Sequence, residues 1–251
     1  MGERETEINP DDPRVKHIGL WNKLKEVTGD EIISYDFLMA RDLFGKIFKE
    51  ARGKIDNHAY TSIIGDDVSG RIPARIAHRA LNEIYRARDQ QQVPLTFLAA
   101  SKPKDFGQHE KYEQKWVNMA SYIKEHRDDY GENPLLITES ISEGGTVRRY
   151  QDVFCQNGLQ ISCFALTKNS AANTELTGDV NIGMETNAHW VLHGLSRFQT
   201  AIDRGEVDQI HGEAMPLGKS YASRMRQAAF LVAGDLTAEY LSEAGEIDGQ
   251  Q

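Results

Sequence analysis

The sequence predicts an α/β fold, in which helices flank a central, mostly parallel sheet and further helical segments extend both ends of the chain. Short apolar runs at 60–64, 94–100, 134–137 and 159–166 are typical of buried strands. Amphipathic helical patterns alternate with these runs, and short polar turns join them. Strand, helix and strand in this order, with short connections, imply a parallel sheet with right-handed crossovers.

Composition limits both the domain count and the class of partner. The chain has 251 residues, of which 39% are hydrophobic, enough for one substantial core. A formal net charge of -9 argues against a general nucleic-acid binder, because such proteins depend on a basic surface. Cys155 and Cys163 are too few for a disulfide framework and suit a reducing compartment. With no apolar run long enough to span a membrane and no signal-like N-terminus, the sequence predicts a cytoplasmic protein without a membrane partner.

The N-terminal part of the chain is polar and then helical. Residues 1–13 carry no hydrophobic pattern and are predicted to form a flexible tail, so that 14–251 make a single domain. Apolar positions predict one helix over 15–27 and a second, longer helix that Ser34 or Asp36 caps and Gly53 ends. We expect segment 14–54 to cover one face of a sheet whose core spans about 55–168.

A strand, a polar turn and a helix follow at 60–84. The turn runs from Gly65 to Gly70, and the helix behind it is apolar on one side. A Gly-Asp-Asp turn that opens a helix is most often plain βα-loop chemistry, so the turn alone is weak evidence for a ligand site. Arg71 and Arg75 stand directly behind it and are candidate partners for an anion.

The next strand, at 94–100, leads into a short basic segment. Lys102 and Lys104 in this segment are as consistent with a solvated turn as with a basic ligand loop. A helix over about 109–126 follows. Its apolar stripe is expected to pack into the core and comprises Tyr112, Trp116, Met119 and Ile123.

Segment 134–154 is the most informative part of the chain, because an apolar strand passes through a Gly-containing loop into a helix. Gly144 and Gly145 let the amides of the loop converge on one point, and Thr146 is the expected N-cap of the helix. A strand that ends at a helix N-terminus is a ready place for a phosphate.

The pattern at 138–146 resembles the phosphoribosyl pyrophosphate (PRPP) signature of the type I phosphoribosyltransferases. In that family a pair of acidic residues holds the ribose hydroxyls, and a Thr-Gly-Gly-Thr type loop holds the 5-phosphate. The resemblance implies that Glu139 and Thr138 serve the ribose. It implies that the phosphate loop comprises Ser142, Glu143, Gly144, Gly145 and Thr146.

The resemblance extends to the two earlier turns. In the family, the loop after the first core strand holds the pyrophosphate, and a later basic loop closes over PRPP. By position, Lys102 and Lys104 would then act with Glu139 in catalysis. The implied pyrophosphate contacts come from Asp67, Val68, Ser69, Gly70 and Arg71.

The activity that the resemblance implies is displacement of pyrophosphate from PRPP by a nitrogen acceptor. Mg²⁺ would be the cofactor and would be held largely by substrate oxygens and waters. The expected ligand is PRPP or a nucleoside monophosphate, and a homodimer is the usual assembly in the family.

Two positions depart from the family pattern and leave other functions open. Thr138 replaces a carboxylate, and Glu143 adds a negative charge to a loop that would hold an anion. At an effective dielectric constant of about 20, like charges roughly 5 Å apart repel by about 3 kcal/mol. The alternatives are a non-catalytic regulatory module that binds a nucleotide or phosphosugar, and a structural subunit with an empty site.

The last third of the chain is less specific. Segment 168–183 is rich in Asn, Thr and Gly and is predicted to be an exposed loop. Within 184–243, two helical patterns are expected to form a hood over the site or to pack beside the core. Glu185, His189 and His193 recur every four residues, but with no further ligand apparent we do not predict a metal site.

Overall fold

The computed structural model describes residues 11–66, 70–98, 109–171, 176, 178–186 and 219–245. In this part of the chain the sheet has five strands, all parallel, in the spatial order β2-β1-β3-β4-β5. The strands are β1 (Ser62–Asp66), β2 (Leu95–Leu98), β3 (Pro134–Ile141), β4 (Ser162–Asn169) and β5 (Val180–Thr186). The predicted α/β class with a parallel sheet is confirmed.

Helices cover both faces of this sheet. One layer is built from α2 (Ile18–Thr28), α3 (Glu31–Glu50), α5 (Arg71–Ala87) and α9 (Lys219–Glu243), and the other from α6 (His109–Glu125) and α8 (Gly145–Gln156). Short helices connect these elements: α1 (Pro13–Lys16), α4 (Arg52–Asp56) and α7 (Arg127–Tyr130).

Each strand of the sheet contributes to two separate cores. Leu135 and Ile137 pack with the α3 and α5 layer, whereas Leu136 between them packs with the α6 and α8 layer. Successive side chains of a strand point to opposite faces of the sheet, and this alternation holds over 135–137. At the end of the strand it breaks, because Ile141 packs with Leu136 in the α6 and α8 layer.

Two predicted helices are confirmed. The stripe on α6 is buried at Tyr112, Trp116, Met119 and Ile123. The C-terminal pattern forms α9, which packs beside the core on α2, α3 and α5. The other predicted C-terminal helix, around 188–203, lies outside the described residues.

The N-terminal helices begin and end at other residues than those predicted. The segment over 15–27 is divided into α1 and α2, and α1 begins at Pro13 behind the N-cap Asp12, inside the predicted tail. The cap of α3 is Asp30, whose carboxylate accepts hydrogen bonds from the backbone N–H groups of Ile32 and Ile33. The predicted caps Ser34 and Asp36 are therefore wrong, and both lie buried inside α3.

The end of α3 and the segment after β4 also differ from the prediction. Gly53 does not terminate a helix but lies within α4, because α3 has already ended at Glu50. The predicted exposed loop over 168–183 contains the start of β5, whose residue Val180 pairs with Cys163 of β4. Strand formation here depends on the neighbouring strand, and the local Asn, Thr and Gly content does not reveal it.

Candidate functional site

The order of the strands creates a crevice between β1 and β3, where a ligand can bind. The chain passes from β1 through α5 to β2 on one side, and then returns across β1 to β3 on the other side. In open parallel sheets, ligands bind beyond the carboxyl ends of the strands at this kind of switch point. The end of β1 is Asp66, and the end of β3 leads into the Gly-containing loop.

A cavity of about 220 Å³ lies at this position. It is bounded on one side by Asp66 and on the other by the end of β3, the loop and the first turn of α8. Its lining residues are Asp66, Leu136, Thr138, Ser140, Ile141, Ser142, Glu143, Gly144, Gly145, Thr146 and Val147. The cavity has room for a phosphate and part of an attached group, and lies below the range of about 300–1,000 Å³ typical of complete ligand pockets.

A residue with a left-handed backbone conformation shapes the loop. Gly144 has φ of 75° and is the N-cap of α8, while its carbonyl accepts the N–H of Arg148. The predicted N-cap Thr146 instead lies in the first turn of the helix. Because the first N–H groups of a helix lack partners within it, the start of α8 offers donors and a positive dipole end to the cavity.

Gly70 brings the ends of β1 and β3 together beneath α5. A Cβ atom at Gly70 would lie 2.5 Å from the carbonyl oxygen of Ile137 and 2.6 Å from the backbone nitrogen of Asp66. Only a residue without a side chain permits this approach. Its neighbour Arg71 places its guanidinium 5.5 Å from the centre of the Phe97 ring, on the β2 side, and does not line the cavity.

Glu139 does not line the cavity either. It follows the face of Leu135 and Ile137, whereas its neighbour Thr138 follows Leu136 and lines the cavity. Only 7% of Glu139 is exposed, and its Oε2 atom has no hydrogen-bond partner among the described residues. Burial, and then the nearby charge of Asp36, raise the pKa of the Glu139 carboxyl to about 8.

The electrostatics of the cavity are mixed. Among the described lining residues there is no Lys or Arg, and the carboxyl groups of Asp66 and Glu143 are the ionisable ones. Ser142 and Glu143 are exposed, whereas Asp66 is largely buried. Hydroxyl groups and the amides of α8 are thus the described donors for an anion, and the carboxylates suit ligand hydroxyls or a cation.

Several predicted site residues fall outside the described part of the chain. These are Asp67, Val68 and Ser69 of the predicted pyrophosphate loop, and Lys102 and Lys104 of the basic segment. In the rejected metal trio, Glu185 pairs with Lys168 on the adjacent strand, and the two histidines are not described. Among the residues that the structure describes, no cluster of three metal-ligating side chains occurs.

Asp66 belongs to the Gly65–Gly70 turn that the sequence analysis singles out, but it is not among the ligand contacts predicted there. The sequence predicts ligand contacts from Asp67 onward, but the strand continues to Asp66, which reaches the cavity directly. The available signal was an acidic residue immediately after the apolar run of β1. Without the pairing of β1 with β3, nothing distinguishes Asp66 from the two residues that follow it in the same turn.

Comparisons with protein-family models, with curated proteins and with solved structures found no match to this chain. Among the helices of the described segments, none is long and apolar enough to cross a bilayer.

Proposed function

We propose that the cavity between β1 and β3 binds a phosphorylated ribose, with PRPP or a nucleoside monophosphate as the ligand. The observation that carries the proposal is the meeting of the Ser142–Thr146 loop, the N-terminus of α8 and Asp66 around one cavity. A helix N-terminus favours phosphate, while a carboxylate beside it favours the hydroxyls of a sugar.

In this proposal, the loop holds the 5-phosphate through its amides and through the hydroxyls of Ser142 and Thr146. The Asp66 carboxylate accepts hydrogen bonds from the ribose hydroxyls, and the Thr138 hydroxyl accepts or donates one, since both residues line the same cavity. Asp66 thereby takes the ribose role that the family resemblance assigns to Glu139, because strand alternation turns Glu139 away from the cavity.

The transferase reaction would displace pyrophosphate from PRPP by a nitrogen nucleophile. Positive charge builds on the ribose as the leaving group departs, and Asp66 would stabilise this charge. Arg71, Lys102 and Lys104 are the candidate cations for the pyrophosphate.

The donor set fits Mg²⁺ only in part, because Asp66 and Glu143 are the described carboxylates at the cavity and the ligand must supply further oxygens. When bound, Mg²⁺ would neutralise pyrophosphate charge.

A non-catalytic binding module is the second candidate. It is supported by the position of Glu139 on the opposite face of β3 and by the negative charge of Glu143 at the phosphate loop. A protein of this kind would bind a nucleotide or phosphosugar and, in response, regulate or recruit a partner protein without catalysing a reaction.

Isothermal titration calorimetry with PRPP and Mg²⁺, and with a set of nucleoside monophosphates, tests the binding step. Gly145→Trp should abolish binding, because Gly145 lines the cavity, and the variant should still fold, because an added Cβ meets no atom within 4 Å. Gly53→Trp is the matched control, since its Cβ position is also open and it lies in α4. Absence of heat with every ligand in the unmodified protein would contradict the proposal.

Pyrophosphate release with a panel of nucleobases separates the two candidates. Turnover with one base would establish the transferase, whereas binding without turnover supports the regulatory module. In the second case, the double change Thr138→Asp and Glu143→Thr restores the family pattern at the loop. Pyrophosphate release by this variant alone would show that the loop is what prevents catalysis.

A further inference from the structure

The two walls of the proposed cavity belong to different elements. Asp66 of β1 forms one wall, and the loop with the first turn of α8 forms the other. A phosphorylated sugar that contacts both walls requires a fixed distance between them, whereas inorganic phosphate can bind at the loop alone. The position of α8 on the sheet therefore determines how well the larger ligand fits.

A buried hydrogen bond fixes the position of α8 on the sheet. The side chain of Tyr150 in α8 is fully buried, and its hydroxyl donates to the backbone carbonyl of Leu98 at 2.7 Å. Leu98 is the last residue of β2 and pairs in register with Asp66 of β1. The bond from α8 thus ends on the strand residue beside the Asp66 wall.

This hydrogen bond reaches across the strand that carries Asp66. The sheet order is β2-β1-β3, and the loop before α8 leaves the end of β3. Neighbouring strands lie about 4.8 Å apart, so β3 and β2 are separated by about 10 Å. Helix α8 spans this separation, because its loop end follows β3 while Tyr150, in the second turn, is attached to β2.

The hydroxyl of Tyr150 supplies a link that the ring alone would not. The ring contacts the Trp116 ring edge to face, with centroids 5.2 Å apart, and a Phe ring would make the same contact. Val147, three positions earlier on the same side of α8, lines the cavity. A hydroxyl in this apolar core is favourable only with a partner, and the Leu98 carbonyl is one.

We propose that Tyr150 is a positioning residue whose hydroxyl holds the start of α8 at the distance from Asp66 that a phosphorylated ribose requires. Without the hydroxyl, α8 keeps its loop and its ring packing but loses this link to β2. The role rests on the proposed function, because it concerns a ligand that contacts both walls. Loss of the link weakens the binding of the sugar phosphate and leaves the binding of inorganic phosphate at the loop unchanged.

NMR titration of the loop amides with ribose 5-phosphate and with inorganic phosphate tests this role. In Tyr150→Phe the dissociation constant for ribose 5-phosphate should rise about fivefold, the ratio that corresponds to one net hydrogen bond. The constant for inorganic phosphate should stay the same. An unchanged constant for ribose 5-phosphate would overturn the inference. Equal rises for both ligands would overturn it too, because they would indicate damage to the loop itself.

Tyr130→Phe is the matched control. Tyr130 lies in the same core and packs against Phe154 of α8 with ring centroids 5.3 Å apart, and its hydroxyl has no hydrogen-bond partner among the described residues. Removal of this hydroxyl should leave both dissociation constants unchanged. A selective loss of ribose 5-phosphate affinity in Tyr130→Phe would contradict the role of the Tyr150 bond.

Two further variants separate position from stability. Val153→Ala removes buried apolar volume from α8 and should lower the free energy of unfolding without changing the ratio of the two dissociation constants. Replacement of Tyr150 by 4-aminophenylalanine keeps a donor at the same place and should restore the affinity for ribose 5-phosphate. A changed ratio in Val153→Ala, or failure of the restored donor, would show that the affinity follows stability and not this bond.

Hydrogen exchange distinguishes this role from the ligand assignment. In the ligand-free protein, the amides of residues 148–150 should lose protection in Tyr150→Phe and keep it in Tyr130→Phe, because only the first change releases the start of α8. If neither phosphate ligand binds the unmodified protein while this difference is observed, the proposed function is wrong and Tyr150 still positions α8. Equal protection in the two variants would overturn the role of Tyr150 whether or not a ligand binds.

Discussion

At the scale of single residues, Thr138 and Glu139 show how strand geometry separates two neighbours. The family resemblance treats them as a pair that serves one ribose, yet Thr138 lines the cavity and Glu139 is buried outside it. The difference is a consequence of the two-residue repeat of a strand. A position match in sequence is therefore insufficient to assign a ligand contact at the end of a strand.

The raised pKa of Glu139 predicts a specific pH dependence of stability. Because the folded-state pKa is raised, the stabilisation is complete below the pKa of an ordinary Glu and is lost as pH rises toward about 8. In this window the free energy of unfolding should fall by up to about 1.4 kcal/mol per pH unit from this group. Urea unfolding at a series of pH values measures the slope.

Glu139→Gln is expected to remove this contribution. The free energies of unfolding of the two proteins should therefore differ least at low pH and should diverge as the pH rises through this window. Glu132→Gln changes the same charge at an exposed site near the other end of β3 and should leave the slope intact. Parallel stability profiles for Glu139→Gln and the unmodified protein would contradict the assignment of a buried, neutral carboxyl.

A second residue-scale prediction concerns Glu143, which adds negative charge to the proposed phosphate loop. Glu143→Gln should tighten the binding of ribose 5-phosphate by about fivefold, equivalent to about 1 kcal/mol, because the group is exposed and water screens its repulsion. The gain should shrink as salt is raised. Calorimetry measures both effects.

Glu132→Gln again serves as the control, since it removes one negative charge away from the cavity. An equal gain in both variants would mean that net charge, and not the position of Glu143, limits the affinity.

At the scale of elements, α9 is attached to α3 by a buried guanidinium. Only 4% of the Arg41 side chain is exposed, and its Nε atom donates to Asp235 of α9 at 2.7 Å while a second nitrogen donates to Glu239. Apolar residues of α9, among them Val232 and Leu236, are buried in the same contact. Helices α3 and α9 are thus joined through side chains nearly 200 positions apart.

Arg41→Met should lower the free energy of unfolding by about 2–3 kcal/mol, near the lower end of the range for breaking a buried ion pair, because the two acids are half-exposed and keep part of their hydration. Urea unfolding at neutral pH measures this loss. Arg79→Met is the control, because Arg79 is 46% exposed and pairs within α5 with Glu83, so its loss should cost less than about 1 kcal/mol. Equal losses would show that the Arg41 contact is no stronger than a surface pair.

At the scale of the whole molecule, the proposed cavity lies between strands that separate segments of the chain supply. A ligand that contacts both Asp66 and the loop stabilises the pairing of β1 with β3, and through it the folded state. At a ligand concentration about one hundred times the dissociation constant, the expected stabilisation is about 2.7 kcal/mol. For a chain of this length, the melting temperature should rise on the order of 5–10 °C.

A thermal melt with PRPP and Mg²⁺ measures this rise, and Gly145→Trp should abolish it while melting normally in the absence of ligand. A rise of the same size in Gly145→Trp would place the ligand elsewhere on the molecule.

Features that depend on one segment of the chain could be predicted from the sequence more completely than features that depend on contacts between distant segments. The α6 stripe and α9 follow from apolar spacing within one segment, and both are confirmed. The start of α3 was misplaced because three polar residues compete as caps, and only the hydrogen bonds of Asp30 decide among them. The strand β5 was missed because its pairing partner lies elsewhere in the chain.

The sequence by itself determined the α/β class, the parallel sense of the sheet and the Gly-containing loop before α8, since hydrophobic period and turn chemistry are local properties. Only the tertiary structure decided that β1 and β3 are neighbours, that Asp66 joins the loop around a cavity, and that Glu139 is buried outside that cavity. Strand order and side-chain direction arise from packing between distant segments, which no local pattern encodes.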